Sequence, residues 1–215
     1  MRTRFDKQLD ELHVELIKMG SMCEEAITLS VEVLKHASEK TINQIHTVDS
    51  AIDQKERDIE NICIKLLLQQ QPVASDLRMI SAALKMISDM ERIGDQAGDI
   101  AEMAAYLSDT ESSSMVHLDS MGKATIKMVT NSVEAFVQSD RQLAEKVIDV
   151  DDEVDRLFDT VKNELMDLIY NKGIDARAAL DLLMTAKYFE RIGDHAVNIA
   201  EWVVYSITGV HKSHE

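Results

Sequence analysis

The chain has 215 residues, 45 % of them apolar but only 4 % aromatic, with a single proline. That length holds one large domain or two small ones, and an interior built from Ala, Leu, Ile, Val and Met is the make-up of packed helices, not of a sandwich or barrel. A net charge of −16 excludes direct nucleic-acid binding and attraction to anionic lipid, because both would be repelled, and it points to cations or basic protein surfaces as partners.

Leu9, Leu12, Leu16, Met19, Cys23, Ile27 and Leu34 recur at helical spacing and predict a first helix over about residues 5–37. Thr41-Ile42-Asn43-Gln44 reads as a capping box that opens a second helix. It runs through Ile45, Ile52, Ile59 and Leu66 and stops at Gln69-Gln70-Gln71-Pro72, since a residue before proline is pushed out of the helical region. A third helix follows Pro72 and reaches Leu107. The polar stretch Ser108 to Ser114 is the predicted boundary between two halves, 1–108 and 109–215.

A fourth helix is predicted over about 115–138, and Ser139-Asp140-Arg141-Gln142 offers a second Ser-x-x-Gln cap. The fifth runs to Tyr170, where Asn171-Lys172-Gly173 ends it. Asp175 caps the sixth, which extends to about Ile207; Gly209 and the polar residues 211–215 read as a frayed tail. Short loops make successive helices antiparallel neighbours. The expected fold is all-α: two tandem up-down-up three-helix bundles.

No apolar run approaches the roughly 20 residues a bilayer needs, so no transmembrane segment is expected. Met1-Arg2-Thr3-Arg4-Phe5-Asp6 lacks the apolar stretch of a signal peptide. A cytoplasmic location is expected. Cys23 and Cys63, far apart and outside any CxxC pairing, read as core residues in a reducing compartment.

The two halves are related by internal duplication. Glu91-Arg92-Ile93-Gly94-Asp95-Gln96-Ala97-Gly98-Asp99-Ile100-Ala101-Glu102 returns 99 residues later as Glu190-Arg191-Ile192-Gly193-Asp194-His195-Ala196-Val197-Asn198-Ile199-Ala200-Glu201. Val48-Asp49-Ser50-Ala51-Ile52-Asp53 likewise resembles Val150-Asp151-Asp152-Glu153-Val154-Asp155, here 102 residues on. Turns tolerate such a three-residue change.

Each half therefore carries two acidic pairs at i, i+4: Asp49/Asp53 with Glu91/Asp95, and Asp151/Asp155 with Glu190/Asp194. Residues so spaced are neighbours on a helix and repel unless a cation lies between them. Two pairs on adjacent helices supply enough oxygen ligands for a cluster with bridging carboxylates. Asp99 and its counterpart Asn198 extend the ladder as outer ligands, while Arg92, Arg191, Glu102 and Glu201 are second-layer candidates. All-oxygen donors favour Mg, Ca, Mn or iron over tetrahedral zinc, although zinc or nickel can be recruited. Gly94 and Gly193 sit mid-helix at a cost of about 1 kcal/mol, which a close approach of another helix or a bulky cluster would offset. The competing reading is a packing motif, with glycine for closeness and Arg/Glu for a structural salt bridge.

No Glu-x-x-His pair, phosphate loop or nucleophile elbow is present, so no enzymatic activity is expected. A metal-dependent hydrolase using the carboxylates, or a purely structural helical scaffold, are the alternatives.

The duplicated Glu-Arg-Ile-Gly-Asp helix, each copy preceded by a Val-Asp-x-x-Val/Ile-Asp helix, resembles the PhoU family of bacterial phosphate-transport regulators. Phe5-Asp6-Lys7-Gln8-Leu9-Asp10-Glu11-Leu12 is similar to that family's first helix, and Ala82-Ala83-Leu84-Lys85 and Met184-Thr185-Ala186-Lys187 before each motif fit as well. The resemblance implies multinuclear metal clusters, iron foremost, on Asp49/Asp53, Glu91/Asp95, Asp151/Asp155 and Glu190/Asp194. It implies negative regulation of phosphate uptake and of the starvation response, with the ATPase subunit of the phosphate ABC transporter and a sensor histidine kinase as partners, and often a homodimer. It also implies a location peripheral to the membrane through the transporter. Asn198 in place of an acid implies a second site with less negative charge.

Overall fold

The computed structural model describes residues 2–70, 73–107, 117–171 and 173–210. Six helices account for the regular structure there: α1 (Arg2–Lys35), α2 (Glu39–Gln70), α3 (Ala74–Leu107), α4 (Leu118–Gln138), α5 (Arg141–Tyr170) and α6 (Ala176–Thr208). The expected boundary at 108/109, the turn at Gln71-Pro72, the start of the fourth helix at Met115 and the tail at 211–215 all lie outside the described residues.

Two helix starts differ from the sequence reading. α2 opens at Glu39, because the Ser38 hydroxyl accepts from the Thr41 amide at 3.1 Å and so caps the helix one turn before the Thr41 box. Ser139 does not cap α5. It closes α4 in the left-handed region (φ 53°), and the neighbouring Asp140 side chain accepts from the Leu143 amide at 3.0 Å. Asp175 caps α6 as expected, accepting from the Arg177 amide at 3.1 Å. Gly209 ends α6 at φ 75°, where only glycine sits without strain.

Within each half every helix packs on the other two. The halves meet along two seams, α3 against α6 and α1 against α4, and the first is the most extensive helix contact in the molecule. α2 and α5 pack on their own bundles and so lie on opposite flanks. Apolar stripes at helical spacing fill the interior: Leu12, Leu16, Met19 and Cys23 on α1, Ile45, Ile52, Ile59 and Leu66 on α2, and Phe189 and Ile192 on α6 are fully buried. Each large aliphatic so buried contributes about 1.5–3 kcal/mol. Both cysteines are free and buried, and burial pushes their thiols up to about 12.

The α1–α4 seam shows how the repeats fit. Gly20 of α1 faces Val133 of α4, with space for a Cβ only 3.2 Å from Val133 Cγ2. The same pair recurs 102 residues on and reversed: Gly122 of α4 faces Val31 of α1, and any Cβ there would collide with the Val31 methyl. Missing side chains thus let the two helices approach at equivalent points. The α3–α6 seam is antiparallel. Asp89 of α3 meets His195 and Asn198 of α6, and Lys85 lies 6.0 Å above the Trp202 ring.

Two acidic clusters as candidate metal centres

The first cluster forms where α2 lies against α3. Gly94 brings them together: a Cβ there would stand 2.8 Å from Asp49 Oδ1 and 3.2 Å from Ile52 Cδ1. The mid-helix glycine is thus offset by the close approach of another helix. Asp49 Oδ1 is buried and has no hydrogen-bond partner, an arrangement that costs free energy unless a proton or cation reaches it. Burial pushes the Asp49 carboxyl above its ordinary range, and Asp95, Asp53 and Asp99 add to the shift while His46 opposes it. Glu91 rises first through burial and then through Asp95, with Arg92 opposing and Glu56 and Asp53 adding. The electrostatic coupling places Asp49, Asp53, Glu91 and Asp95 in one negative neighbourhood that spans two helices.

Arg92 is the cluster's own counter-charge. Its Nη1 donates to Asp95 Oδ2 at 2.7 Å, and its Nε lies 3.4 Å from Glu91. The guanidinium is 58 % exposed, so little holds it there against a competing cation. Asp99, one turn beyond, is raised by burial, then by Glu102 and Asp95, and is opposed by Arg191 reaching across from α6.

The second cluster repeats the plan between α5 and α6 with looser dimensions. A Cβ on Gly193 would lie 3.5 Å from Asp151 Oδ1, an ordinary contact. Asp151 is pushed up to about 6 by burial, with Asp155, Asp194, Glu190 and Asp152 adding. Asp194 is raised by burial and Glu190, with Lys187 opposing. Lys187 pairs with Glu190 in the role that Arg92 plays in the first half.

Several expected residues are arranged differently. Asn198 turns to the other half, donating to Asp89 Oδ1 at 3.1 Å beside His195 Nδ1, which donates to the same oxygen at 2.9 Å. Arg191 acts on Asp99 and Tyr188 across the α3–α6 seam. Glu102 is exposed and Glu201 half-buried. The sequence reading missed Glu56, Asp89 and His46. Asp89 depends on which helices are neighbours, whereas Glu56 and His46 had a signal, since they extend the Asp49/Asp53 ladder by three residues at either end.

Donor type and charge fit a hard cation: oxygens only, mutually repelling, one of them buried and unpartnered. Among the described residues, however, no three His, Cys, Asp or Glu side chains converge on one point as they stand. The clusters are open, with Arg92 and Lys187 between their acids.

The fold and the duplicated acid-bearing helices define a two-repeat helical protein, and comparison with known proteins agrees. The PhoU domain matches this chain twice, over residues 16–104 and 118–203. A Clostridium acetobutylicum protein named phosphate-specific transport system accessory protein PhoU homolog is 37 % identical, over 97 % of this chain and 96 % of its own. The Aquifex aeolicus homolog of that name is also 37 % identical, over 97 % and 95 %. The crystal structure of PhoU from Pseudomonas aeruginosa superposes with a TM-score of 0.87 at 34 % identity, covering 96 % of this chain and all (100 %) of that one. The phosphate transport system regulatory protein PhoU from Streptococcus pneumoniae gives 0.88 at 26 % identity, covering 98 % and 100 %. The chain belongs to the PhoU family. Among the described residues no helix is long and apolar enough to cross a membrane.

Proposed function

We propose that the chain is a non-catalytic, metal-binding adaptor that restrains phosphate uptake and the phosphate-starvation response. Its partners in this reading are the ATPase subunit of the phosphate ABC transporter and a sensor histidine kinase, and it works as a homodimer in the cytoplasm, against the membrane where the transporter sits. The relatives' names, which tie them to phosphate-specific transport, support the physiological part.

The observation that carries the metal part is the orphaned Asp49 oxygen, buried against Gly94 among carboxylates that raise one another's protonation. A divalent or trivalent cation removes that repulsion at once, whereas a salt bridge from an exposed arginine relieves only its near neighbours. Asp49, Asp53, Glu91 and Asp95 would hold metal in the first half, and Asp151, Asp155, Glu190 and Asp194 in the second. Iron is the first candidate by family resemblance. When metal enters, Arg92 and Lys187 must swing off their acids, which links occupancy to the charge presented on the two flanks.

Elemental analysis of freshly purified protein tests the metal reading. Wild type should carry metal, and the combined Glu91→Ala, Asp95→Ala, Glu190→Ala and Asp194→Ala variant should lose it; equal content in the two would overturn it. Deleting the gene should leave starvation genes on in phosphate-rich medium, and restoring the wild-type chain should switch them off. Metal-dependent phosphoester hydrolysis by the purified protein would replace the adaptor with the hydrolase.

A further inference from the structure

The α1–α4 seam ends differently at its two ends, although the repeat makes those ends equivalent. At one end Asp119 of α4 binds both Lys35 of α1 and Lys123, the latter at 2.5 Å, and this ion pair closes the seam. The residues 102 positions away from Asp119, Lys123 and Lys35 are Ile17, Ser21 and Val137. No ion pair can form among them, and the seam stays open there as a pocket of about 290 Å³. Ile17, Gly20, Val133 and Val137 line it, and Ile17 is 49 % exposed. Val14, one turn earlier on the same helix and 48 % exposed, continues the apolar strip.

Two carboxylates, Glu24 and Glu134, stand at this pocket. Glu24 accepts from the Thr130 hydroxyl at 3.2 Å and Glu134 from the Gln138 amide at 2.7 Å. Among the described residues neither has a basic partner within ion-pair distance. An apolar slot with two uncompensated negative charges beside it, both toward the Thr130 end, complements one kind of protein surface: a helix that carries an aliphatic or aromatic anchor with Lys or Arg in the next one or two turns.

We infer that this pocket is a docking site for an amphipathic, basic helix of a partner protein, its apolar side chain seated between Ile17 and Val137 and its basic residues on Glu24 and Glu134. The site lies on the α1–α4 seam, apart from both acidic clusters, and binding there needs no metal.

The test uses the full-length protein, metal-free and ¹⁵N-labelled, with a synthetic amphipathic helix of leucine and lysine as probe. Amide shifts should change most around Gly20, Ser21 and Val133. The E24Q/E134Q variant should bind the probe roughly tenfold more weakly, while E39Q/E60Q, which removes the same charge elsewhere on the surface, should bind as wild type does. Ser21→Phe, placed at an exposed lining position, should block the pocket without altering charge. Shifts centred on Glu91, Asp95, Glu190 or Asp194, equal weakening by both charge variants, or undiminished binding by Ser21→Phe would each overturn the assignment.

Discussion

Glu56 on α2 and Phe158 on α5 occupy equivalent places in the two halves, 102 residues apart, and act in opposite ways. Glu56 adds negative charge beside Glu91 and accepts from the Ser88 hydroxyl at 3.2 Å. Phe158 is neutral, and the residue equivalent to Ser88 is Lys187, whose ammonium lies 5.8 Å from the Phe158 ring centre and pairs with Glu190. Asn198 in place of Asp99 takes away a further charge, and of the acids gained in the second half Asp152, in place of Ser50, is the one that acts on Asp151. The first cluster should therefore hold the larger share of bound metal. Glu91→Ala with Asp95→Ala should lower metal content by more than Glu190→Ala with Asp194→Ala does. Elemental analysis of the two variants in parallel decides this, and the reverse order would contradict the charge argument.

The glycine pair separates packing from helix propensity. Alanine at 94 must displace the Asp49 carboxylate or Ile52, so Gly94→Ala should destabilise by about 1–3 kcal/mol and weaken metal retention. At 193 the neighbours stand at ordinary contact distance. Gly193→Ala should be neutral or stabilising by up to about 1 kcal/mol through propensity. Chemical denaturation of both variants checks this; a destabilised Gly193→Ala would show that the second half is as tight as the first.

Asp151 ionises at about 6 in the folded chain against an ordinary 3.8. Through that window the folded state holds a proton that the unfolded chain has released, so stability falls as pH rises and the contribution is absent above it. Asp49, Glu91, Asp99 and Asp194 shift in the same direction. Glu15 and Asp119 are held low by lysines and act oppositely, at lower pH. Metal-free protein should accordingly melt higher at about pH 5 than at about pH 7, and Asp151→Asn should raise the pH 7 value and shrink the difference. Thermal melts in chelator settle it, and an unshrunken difference in Asp151→Asn would place the effect elsewhere.

Asp89 ties the halves together through His195 and Asn198. Asp89→Ala should cost about 1–2 kcal/mol. Urea unfolding at neutral pH measures this, and a variant as stable as wild type would mean that the apolar α3–α6 contact suffices alone.

Much of this was legible in the chain because it follows from period and register. Apolar spacing marked all six helices, and two near-constant offsets marked the duplication and its acids. The caps were harder. Ser38 and Thr41, like Ser139 and Asp140, are all capable N-caps within a few residues, and the choice falls to whichever one the preceding helix leaves extended. Ser139 was taken up in closing α4, which left Asp140. Asp89 was illegible for a different reason: its role arises between helices far apart in sequence, and it has only Tyr188 at the matching place in the other repeat. Asn198 looked like a weakened ligand because its own repeat was the frame, but its partner belongs to the other one.

A chain made by copying itself would ordinarily offer a visitor two interchangeable footholds, and so no sense of direction. Lys35 and Asp119 latch one of them shut. The survivor at Ile17 and Val137 gives the molecule a head and a tail: whatever rests there always has the α2 flank to one hand and the α5 flank to the other. Two reservoirs of unequal charge then become distinguishable by position, which a symmetrical pair could never be.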